Sequence, residues 1–202
     1  MISHVVHEHP AIGRRVVVWG ATGSGKTTLA RQLSEALGLP PIELDAIFWK
    51  PHWVGTPDEE FRAKVQEAVE AAPEGWVLDG SYRRVSDIYL SRADTLIWLH
   101  FPWRVSFWRL LKRTVSRARS REPLYYEGGP QESWRLSFLT RRSILWWSIS
   151  HNRAAARLTR GRIASLAPHV RIYELRSSRE VREFLAGVGC VAEFPSPRKE
   201  RS

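Results

Sequence analysis

The sequence predicts an α/β fold, in which a five-stranded parallel sheet carries helices on both faces and forms a three-layer sandwich. Short apolar runs alternate along the chain with segments of helical periodicity, which is typical of βα units. The 202 residues, 43% of them hydrophobic, suffice for one such domain with insertions. A glycine-rich turn between the first apolar run and the first helical segment supports the same fold.

Five apolar runs are predicted to form the strands of the sheet. They are Arg15–Trp19, Pro41–Asp45, Trp76–Gly80, Thr95–His100 and His169–Leu175, the last of them near an edge. Helical periodicity predicts helices at Thr28–Leu37, at about 56–71, at Trp103–Ser120 and from Ser177 onward. An aromatic loop is expected between the second strand and the second helix, at Ala46–Trp53.

Local signals indicate where several helices begin, end and become buried. Gly38 is expected to end the first helix. Thr56 and Ser177 each precede a glutamate by three residues, a spacing that predicts a capping box. In the helix at Trp103–Ser120, the predicted buried stripe is Val105, Trp108, Leu111 and Val115.

The most specific motif is a full match to the phosphate-binding loop pattern G-x-x-x-x-G-K-[ST]. Its glycines let the backbone turn N–H groups inward on a phosphate, and its lysine adds a positive charge. The helix that follows, from Thr28, directs the positive end of its dipole at the same group. We therefore predict ATP binding by Thr28 together with the eight loop residues Gly20, Ala21, Thr22, Gly23, Ser24, Gly25, Lys26 and Thr27.

Two carboxylates are expected at the edge of the sheet where ligands bind. Asp79 ends the third strand, and we predict that it holds Mg²⁺ together with the Thr27 hydroxyl. Asp45 ends the second strand and has two interpretations. It is either the base that positions and deprotonates an acceptor hydroxyl, or a cap for the following turn.

Composition limits the location and the partners of the protein. One cysteine, Cys190, excludes an internal disulfide and predicts a reducing cytoplasm. The net charge of +10 fits either a site for several phosphates or a nucleic-acid partner. We expect a loose leader at residues 1–12, a domain built around the phosphate-binding loop at 13–190 with a lid at about 117–135, and a disordered tail at 191–202.

Other classes of phosphate-loop protein are disfavoured by what the sequence lacks. It has no Asn-Lys-x-Asp motif for guanine, and Gly80 follows Asp79 where ATP-hydrolysing machines usually have a glutamate. The remaining class is the small phosphotransferase, in which arginines stabilise the moving phosphoryl group. Arg109, Arg113 and Arg117, spaced at i, i+4 and i+8, supply such charges, with a solvated basic face as the alternative.

These motifs together resemble the P-loop NTPase fold of the nucleoside monophosphate kinase superfamily. The resemblance implies that Arg83 binds the phosphate of the acceptor, that Arg109 packs by the ATP base and that Arg113 contacts the phosphates. More narrowly, Leu44-Asp45-Ala46-Ile47-Phe48-Trp49-Lys50-Pro51 and Asp79-Gly80-Ser81-Tyr82-Arg83 resemble the adenylate-kinase-like proteins labelled DNA topology modulation proteins.

The chain departs from adenylate kinase itself at the acceptor side. Ser81-Tyr82 replaces Phe-Pro, and the segment that binds AMP is replaced by the aromatic loop after Asp45. Phe48 and Trp49 are expected either to stack on a substrate ring or to form a hydrophobic lid or core. Asp45 resembles the catalytic carboxylate of shikimate and antibiotic kinases, which favours a hydroxyl acceptor.

Two functions of different classes follow from these features. The first is an ATP- and Mg²⁺-dependent kinase that acts on an unidentified small molecule or nucleotide, with Lys26, Asp45, Arg113 and Arg117 as catalytic residues. The second is a nucleotide-dependent, nucleic-acid-binding regulator of DNA topology, suggested by the charge and by the label of the resembling proteins.

Overall fold

Six parallel strands form the central sheet of the molecule. The computed structural model describes residues 2–3, 12–120, 123–131 and 169–189. The sheet strands are β1 (Ile2–Ser3), β2 (Arg15–Gly20), β3 (Pro41–Glu43), β6 (Trp76–Asp79), β7 (Thr95–Leu99) and β8 (Arg171–Leu175). Their spatial order is β1-β8-β7-β2-β6-β3, and every neighbouring pair is parallel. All five predicted strands are confirmed.

The sixth strand corrects the expected leader. Ile2 and Ser3 pair with Ile172 and Tyr173, so β1 covers the edge at β8 where a loose segment was expected. The rest of the leader, the lid at 121–122 and 132–135, Cys190 and the tail lie outside the described residues.

Helices cover both faces of the sheet, as predicted. They are α1 (Lys26–Leu37), α2 (Leu44–Phe48), α3 (Asp58–Glu70), α4 (Ser86–Leu90), α5 (Trp103–Ser120) and α6 (Ser178–Gly187). On one face, Phe61 and Val65 of α3 pack with Tyr89 of α4 in a core that includes Phe48. On the other face, Leu29 of α1 and Phe184 of α6 pack in a second core. None of these helices is both long and apolar enough to span a bilayer, as far as the described residues extend.

The segment after β3 differs from the prediction. β3 ends at Glu43, and Asp45 lies in the first turn of α2 instead of in the strand. The expected aromatic loop is helix α2 followed by a hairpin of β4 (Trp49–Lys50) and β5 (Val54–Gly55) around a 3₁₀ turn. Leu44 and Phe48, four residues apart and both buried, explain the helix, because they place one apolar face on the core.

Two helix starts were predicted as capping boxes, and one of them is confirmed. The Ser177 hydroxyl accepts the Glu180 N–H at 3.2 Å and caps α6. The Thr56 hydroxyl is buried and donates instead to the carbonyl of Phe48 at 2.8 Å, so it ties the hairpin to α2. Pro57 therefore occupies the cap position of α3 without a capping side chain.

The buried face of α5 is also different from the predicted stripe. Val105 and Trp108 are exposed, whereas the buried residues are Ser106, Leu110, Thr114 and Ala118. A side-chain Cβ at Gly23 would lie 2.9 Å from the Leu110 Cβ and would clash with the Ser106 carbonyl. Because α5 packs so closely on the phosphate-binding loop, three of its four buried residues are small, and Val105 and Trp108 face outward.

Candidate active site

The phosphate-binding loop joins β2 to α1 at the carboxyl edge of the sheet. Gly23 and Gly25 have φ values of 84° and 96°, in the left-handed region that glycine adopts without strain. The Ser24 N–H donates to the Ala21 carbonyl at 3.0 Å. The loop thus makes a tight turn directly before the N-terminus of α1, where unpaired N–H groups and the helix dipole favour an anion.

Side chains of the loop are arranged around this turn. The Lys26 ammonium donates to the Ala21 carbonyl at 3.2 Å, so it lies back along the loop. The Ser24 hydroxyl is buried and has no hydrogen-bond partner among the described residues. Gly20 ends β2, and Thr22 and Thr28 are half-buried on either side of the turn. Nine of the ten residues predicted to bind ATP, 20–28, thus form the end of β2, the loop and the first turn of α1, and the tenth is Arg109.

Asp79 and Thr27 meet under the loop, as the sequence predicts. Asp79 pairs in register with Val18 of β2, and its Oδ2 accepts the Thr27 hydroxyl at 2.5 Å. Its Oδ1 is buried and has no hydrogen-bond partner in the described part of the chain. Burial raises the pKa of the Asp79 carboxyl, whereas the Lys26 charge and the Thr27 hydrogen bond lower it.

This pair has the donor chemistry that Mg²⁺ requires. A hydroxyl and a carboxylate oxygen are hard ligands, and a cation would satisfy the buried Oδ1 of Asp79. The described residues contain no cluster of three His, Cys, Asp or Glu side chains suited to a metal. Thr27 and Asp79 therefore fit a Mg²⁺ ion that takes its other ligands from nucleotide phosphates and water, as is usual for this metal.

Arg109 connects the phosphate-binding loop to the last helix. Its guanidinium donates to the Ser24 carbonyl at 3.2 Å and to the Ser178 hydroxyl at 2.7 Å. It also lies over the ring of Phe101, with the guanidinium carbon 5.0 Å from the ring centroid. Burial lowers the pKa of Arg109. Arg109 thus lies beside the loop, and its contact with the ATP base stays a prediction.

Arg113 and Arg117 carry charges that partly offset the raised pKa values of groups near the carboxyl edge of the sheet. Both charges lower the pKa of Glu43 and the pKa of Tyr125, and Arg113 also lowers the pKa of Asp79. They follow Arg109 on α5 at four-residue spacing, next to the buried face that packs on the loop. Both arginines therefore lie near enough to influence the acidic groups at this edge, and their catalytic role stays a prediction.

Asp45 has a specific partner at this edge. The Tyr82 hydroxyl donates to Asp45 Oδ1 at 2.6 Å. Burial, followed by the Asp45 charge and this hydrogen bond, raises the pKa of the Tyr82 phenol. Tyr82 therefore stays protonated, and Asp45 accepts a hydrogen bond from its hydroxyl. The sequence shows Tyr82 only as a departure from Phe-Pro, and its contact with Asp45 depends on tertiary structure.

Glu43 is a functional candidate that the sequence analysis missed. It ends β3 in register with Asp79, and its pKa is raised from 4.5 to about 7. Burial is the largest cause, followed by the charges of Asp79 and Asp45. Ligands bind at the ends of such strands, but the sequence predicted the end of this strand at Asp45, so that signal pointed two residues too far.

The aromatic residues predicted to contact the substrate take different positions. Phe48 is only 8% exposed and packs on Phe61 and Tyr82, which favours the core interpretation. Trp49 is half-buried, and its carbonyl accepts the hydroxyl of Tyr126, in the predicted lid segment, at 3.0 Å. Arg83 is exposed at the start of a 3₁₀ turn, one residue after Tyr82.

Residues 123–131, part of the predicted lid, contact the hairpin at a second point and contribute a further phenol. The Trp53 indole donates to the Gln131 carbonyl at 2.8 Å. Tyr125 has a φ of 70°, which is unusual for a residue with a side chain. Burial and then the Asp45 charge raise the pKa of its phenol. Tyr125 was not predicted either, because the lid segment has no periodicity that would orient its side chains.

The parallel sheet and the loop define the class of this protein as an α/β protein with a P-loop. Residues 16–79 match the family described as ATPase family associated with various cellular activities (AAA). Adenylate kinase of Mycolicibacterium smegmatis is 31% identical over 129 residues, which cover 52% of this chain and 71% of that protein. The chain belongs to the P-loop kinase superfamily.

Two further proteins are similar to parts or all of the chain. Cytidylate kinase of Nitratidesulfovibrio vulgaris is 44% identical over 50 residues, so the match spans 22% of that relative and 25% of this chain. A gluconokinase from Sinorhizobium meliloti is 21% identical with a TM-score of 0.48, covering 87% of this chain and 91% of that one. The narrower resemblance to DNA topology modulation proteins stays a prediction.

Proposed function

We propose that the protein is an ATP- and Mg²⁺-dependent phosphotransferase that transfers the γ-phosphoryl group of ATP to a small-molecule or nucleotide acceptor. The observation that carries the proposal is the Thr27–Asp79 contact beneath the loop, with one buried carboxylate oxygen still unpaired among the described residues. A loop without this pair would bind phosphate but would offer no ligands to a metal.

The roles of the individual residues follow from their places around the loop. Backbone N–H groups of the loop and the Lys26 ammonium bind the β- and γ-phosphates. Thr27 and Asp79 hold Mg²⁺, which when bound neutralises charge on those phosphates. Arg113 and Arg117 stabilise the charge that spreads over the transferring phosphoryl oxygens, and Arg109 packs by the base.

The proposed function is tested by comparing a variant that lacks Lys26 with a control variant that lacks a lysine outside the site. Lys26→Ala should lower ADP release from ATP and Mg²⁺ by at least about 100-fold and weaken binding of a non-hydrolysable ATP analogue. Lys112→Ala, which removes an exposed lysine of α5, is the control and should leave both unchanged. Equal ADP release by wild type and Lys26→Ala would contradict the proposal.

The second function considered, a nucleotide-dependent, nucleic-acid-binding regulator, depends on the net charge of +10. The similar proteins give it no support, since those described above are named as kinases or ATPases. Salt-sensitive binding to duplex DNA near physiological ionic strength would revive it.

A further inference from the structure

The contact between Tyr82 and Asp45 is the best-defined polar contact on the acceptor side of the site. Its length of 2.6 Å is short for a neutral hydroxyl and typical of a hydroxyl that donates to a carboxylate. The two residues come from distant parts of the chain, the turn after β6 and the first turn of α2. The contact therefore fixes where the Asp45 carboxylate lies relative to the end of the sheet.

The aromatic ring of Tyr82 is fixed by packing in the core, so its hydroxyl can orient the Asp45 carboxylate. The ring packs on Phe48 with a centroid distance of 4.9 Å and on Phe61 with a distance of 5.2 Å. Both phenylalanines belong to the core. A phenol anchored in this way loses little entropy on donating its hydrogen bond, which makes it suited to orient a side chain at a reaction site.

The charges around Asp45 disfavour a second phosphate beside it. Glu43 ends β3 in register with Asp79, and Asp45 follows two residues later in the first turn of α2, so three acidic side chains lie at this edge of the sheet. A phosphate acceptor placed against these carboxylates would add another negative charge, whereas an uncharged alcohol would not. An alcohol also carries the proton that a carboxylate base removes, whereas a phosphate oxygen that attacks at neutral pH needs no base.

We infer that Tyr82 is a positioning residue for Asp45, and that the group activated by this carboxylate is the hydroxyl of an uncharged acceptor. This inference rests on the proposed phosphotransferase function. In the reaction, the acceptor O–H bond breaks and its proton passes to Asp45. The acceptor oxygen forms a bond to the γ-phosphorus, and the bond from that phosphorus to the bridging oxygen breaks. Its electron pair stays with ADP. Tyr82 keeps its own proton throughout.

Water is the smallest hydroxyl acceptor, so the inference can be tested on the full-length protein with ATP and Mg²⁺ alone. Slow ADP release in the absence of another acceptor is measured for wild type, Tyr82→Phe, Asp45→Asn and the double variant. Tyr82→Phe should lower kcat by about tenfold, which is the scale expected for a misplaced catalytic group, and should leave KM for ATP unchanged. Tyr173→Phe, a buried tyrosine of β8 in the other core, is the matched control.

The double variant separates positioning from a general structural effect. In the Asp45→Asn background, Tyr82→Phe should change kcat by less than about twofold, because its effect passes through that carboxylate. An equal loss in both backgrounds, a loss confined to KM, or no loss in either would overturn the inference. Stimulation of ADP release by AMP or CMP to the same extent in wild type and Asp45→Asn would overturn it too, since the acceptor would then be a phosphate.

Failure of this inference is distinguishable from failure of the proposed function. If Tyr82→Phe has no effect while ADP release still depends on Lys26, only the positioning role is refuted. If ADP release by wild type equals that of Lys26→Ala, the phosphotransferase assignment fails and the inference fails with it.

Discussion

Glu43 provides a pH-dependent test of the electrostatics of the site. Its pKa of about 7 lies above the ordinary value of 4.5, because burial and the charges of Asp79 and Asp45 disfavour its ionised form. The folded protein therefore holds this proton more tightly than the unfolded chain does. Below about pH 4.5 the carboxyl is protonated in both states, and above about pH 7 its ionisation destabilises the fold in full.

The size of the effect follows from the same two values. One pKa unit corresponds to about 1.4 kcal/mol, so the shift from 4.5 to about 7 bounds the destabilisation at about 3 kcal/mol. Because the side chain is only partly buried, solvent screening reduces the expected value to about 1–2 kcal/mol. Glu43→Gln keeps the shape and removes the charge, so it should stabilise the unliganded protein by that amount at pH 8 and by little at pH 5.

Urea unfolding at pH 5, 6, 7 and 8 measures this difference directly. Glu35→Gln, which changes an exposed glutamate of α1, is the control and should change the free energy of unfolding little at any of these pH values. If the free-energy difference between Glu43→Gln and wild type is the same at pH 5 and pH 8, the reasoning about the charge at Glu43 is refuted.

Three further predictions concern the loop, the last helix and the acceptor. Gly23→Ala should weaken binding of an ATP analogue and lower the free energy of unfolding, each by about 1–3 kcal/mol. Gly23 has a positive φ, and an added Cβ would clash with the Ser106 carbonyl. Unchanged binding in titration calorimetry would contradict this prediction. Ser177→Ala should cost about 1 kcal/mol in thermal unfolding through the lost cap on Glu180, without changing ADP release. Arg83→Ala should leave the KM of an acceptor that carries no phosphate unchanged; a tenfold rise for such an acceptor would contradict this and show that Arg83 contacts the acceptor.

The part of the fold that could be predicted is the part set by local pattern. Apolar runs such as Arg15–Gly20 become buried strands because they fit a sheet covered on both faces. The burial of α5 could not be predicted, since Val105 and Trp108 are more hydrophobic than Ser106 and Thr114. Close packing on a glycine-containing loop selects small residues there, and that selection depends on tertiary structure.

The candidate site divides in the same way. The positions of Lys26, Thr27 and Asp79 could be predicted from local sequence. Lys26 and Thr27 belong to the phosphate-binding loop motif, and Asp79 ends a strand. The acceptor side could not, because the Tyr82–Asp45 contact joins residues 37 positions apart. No periodicity relates the turn that carries Tyr82 to the helix that carries Asp45.

The close approach of α5 to Gly23 has a consequence for how the site is assembled. The Ser106 carbonyl lies where any side chain at Gly23 would be, and the Arg109 guanidinium donates a hydrogen bond to the Ser24 carbonyl. The phosphate-binding loop and α5, the helix that bears Arg113, are thus held in a fixed relative position in the protein without nucleotide. In the proposed function, the triphosphate would therefore bind to a loop and an Arg113 guanidinium whose separation is already set. None of its binding energy would be needed to bring the two together.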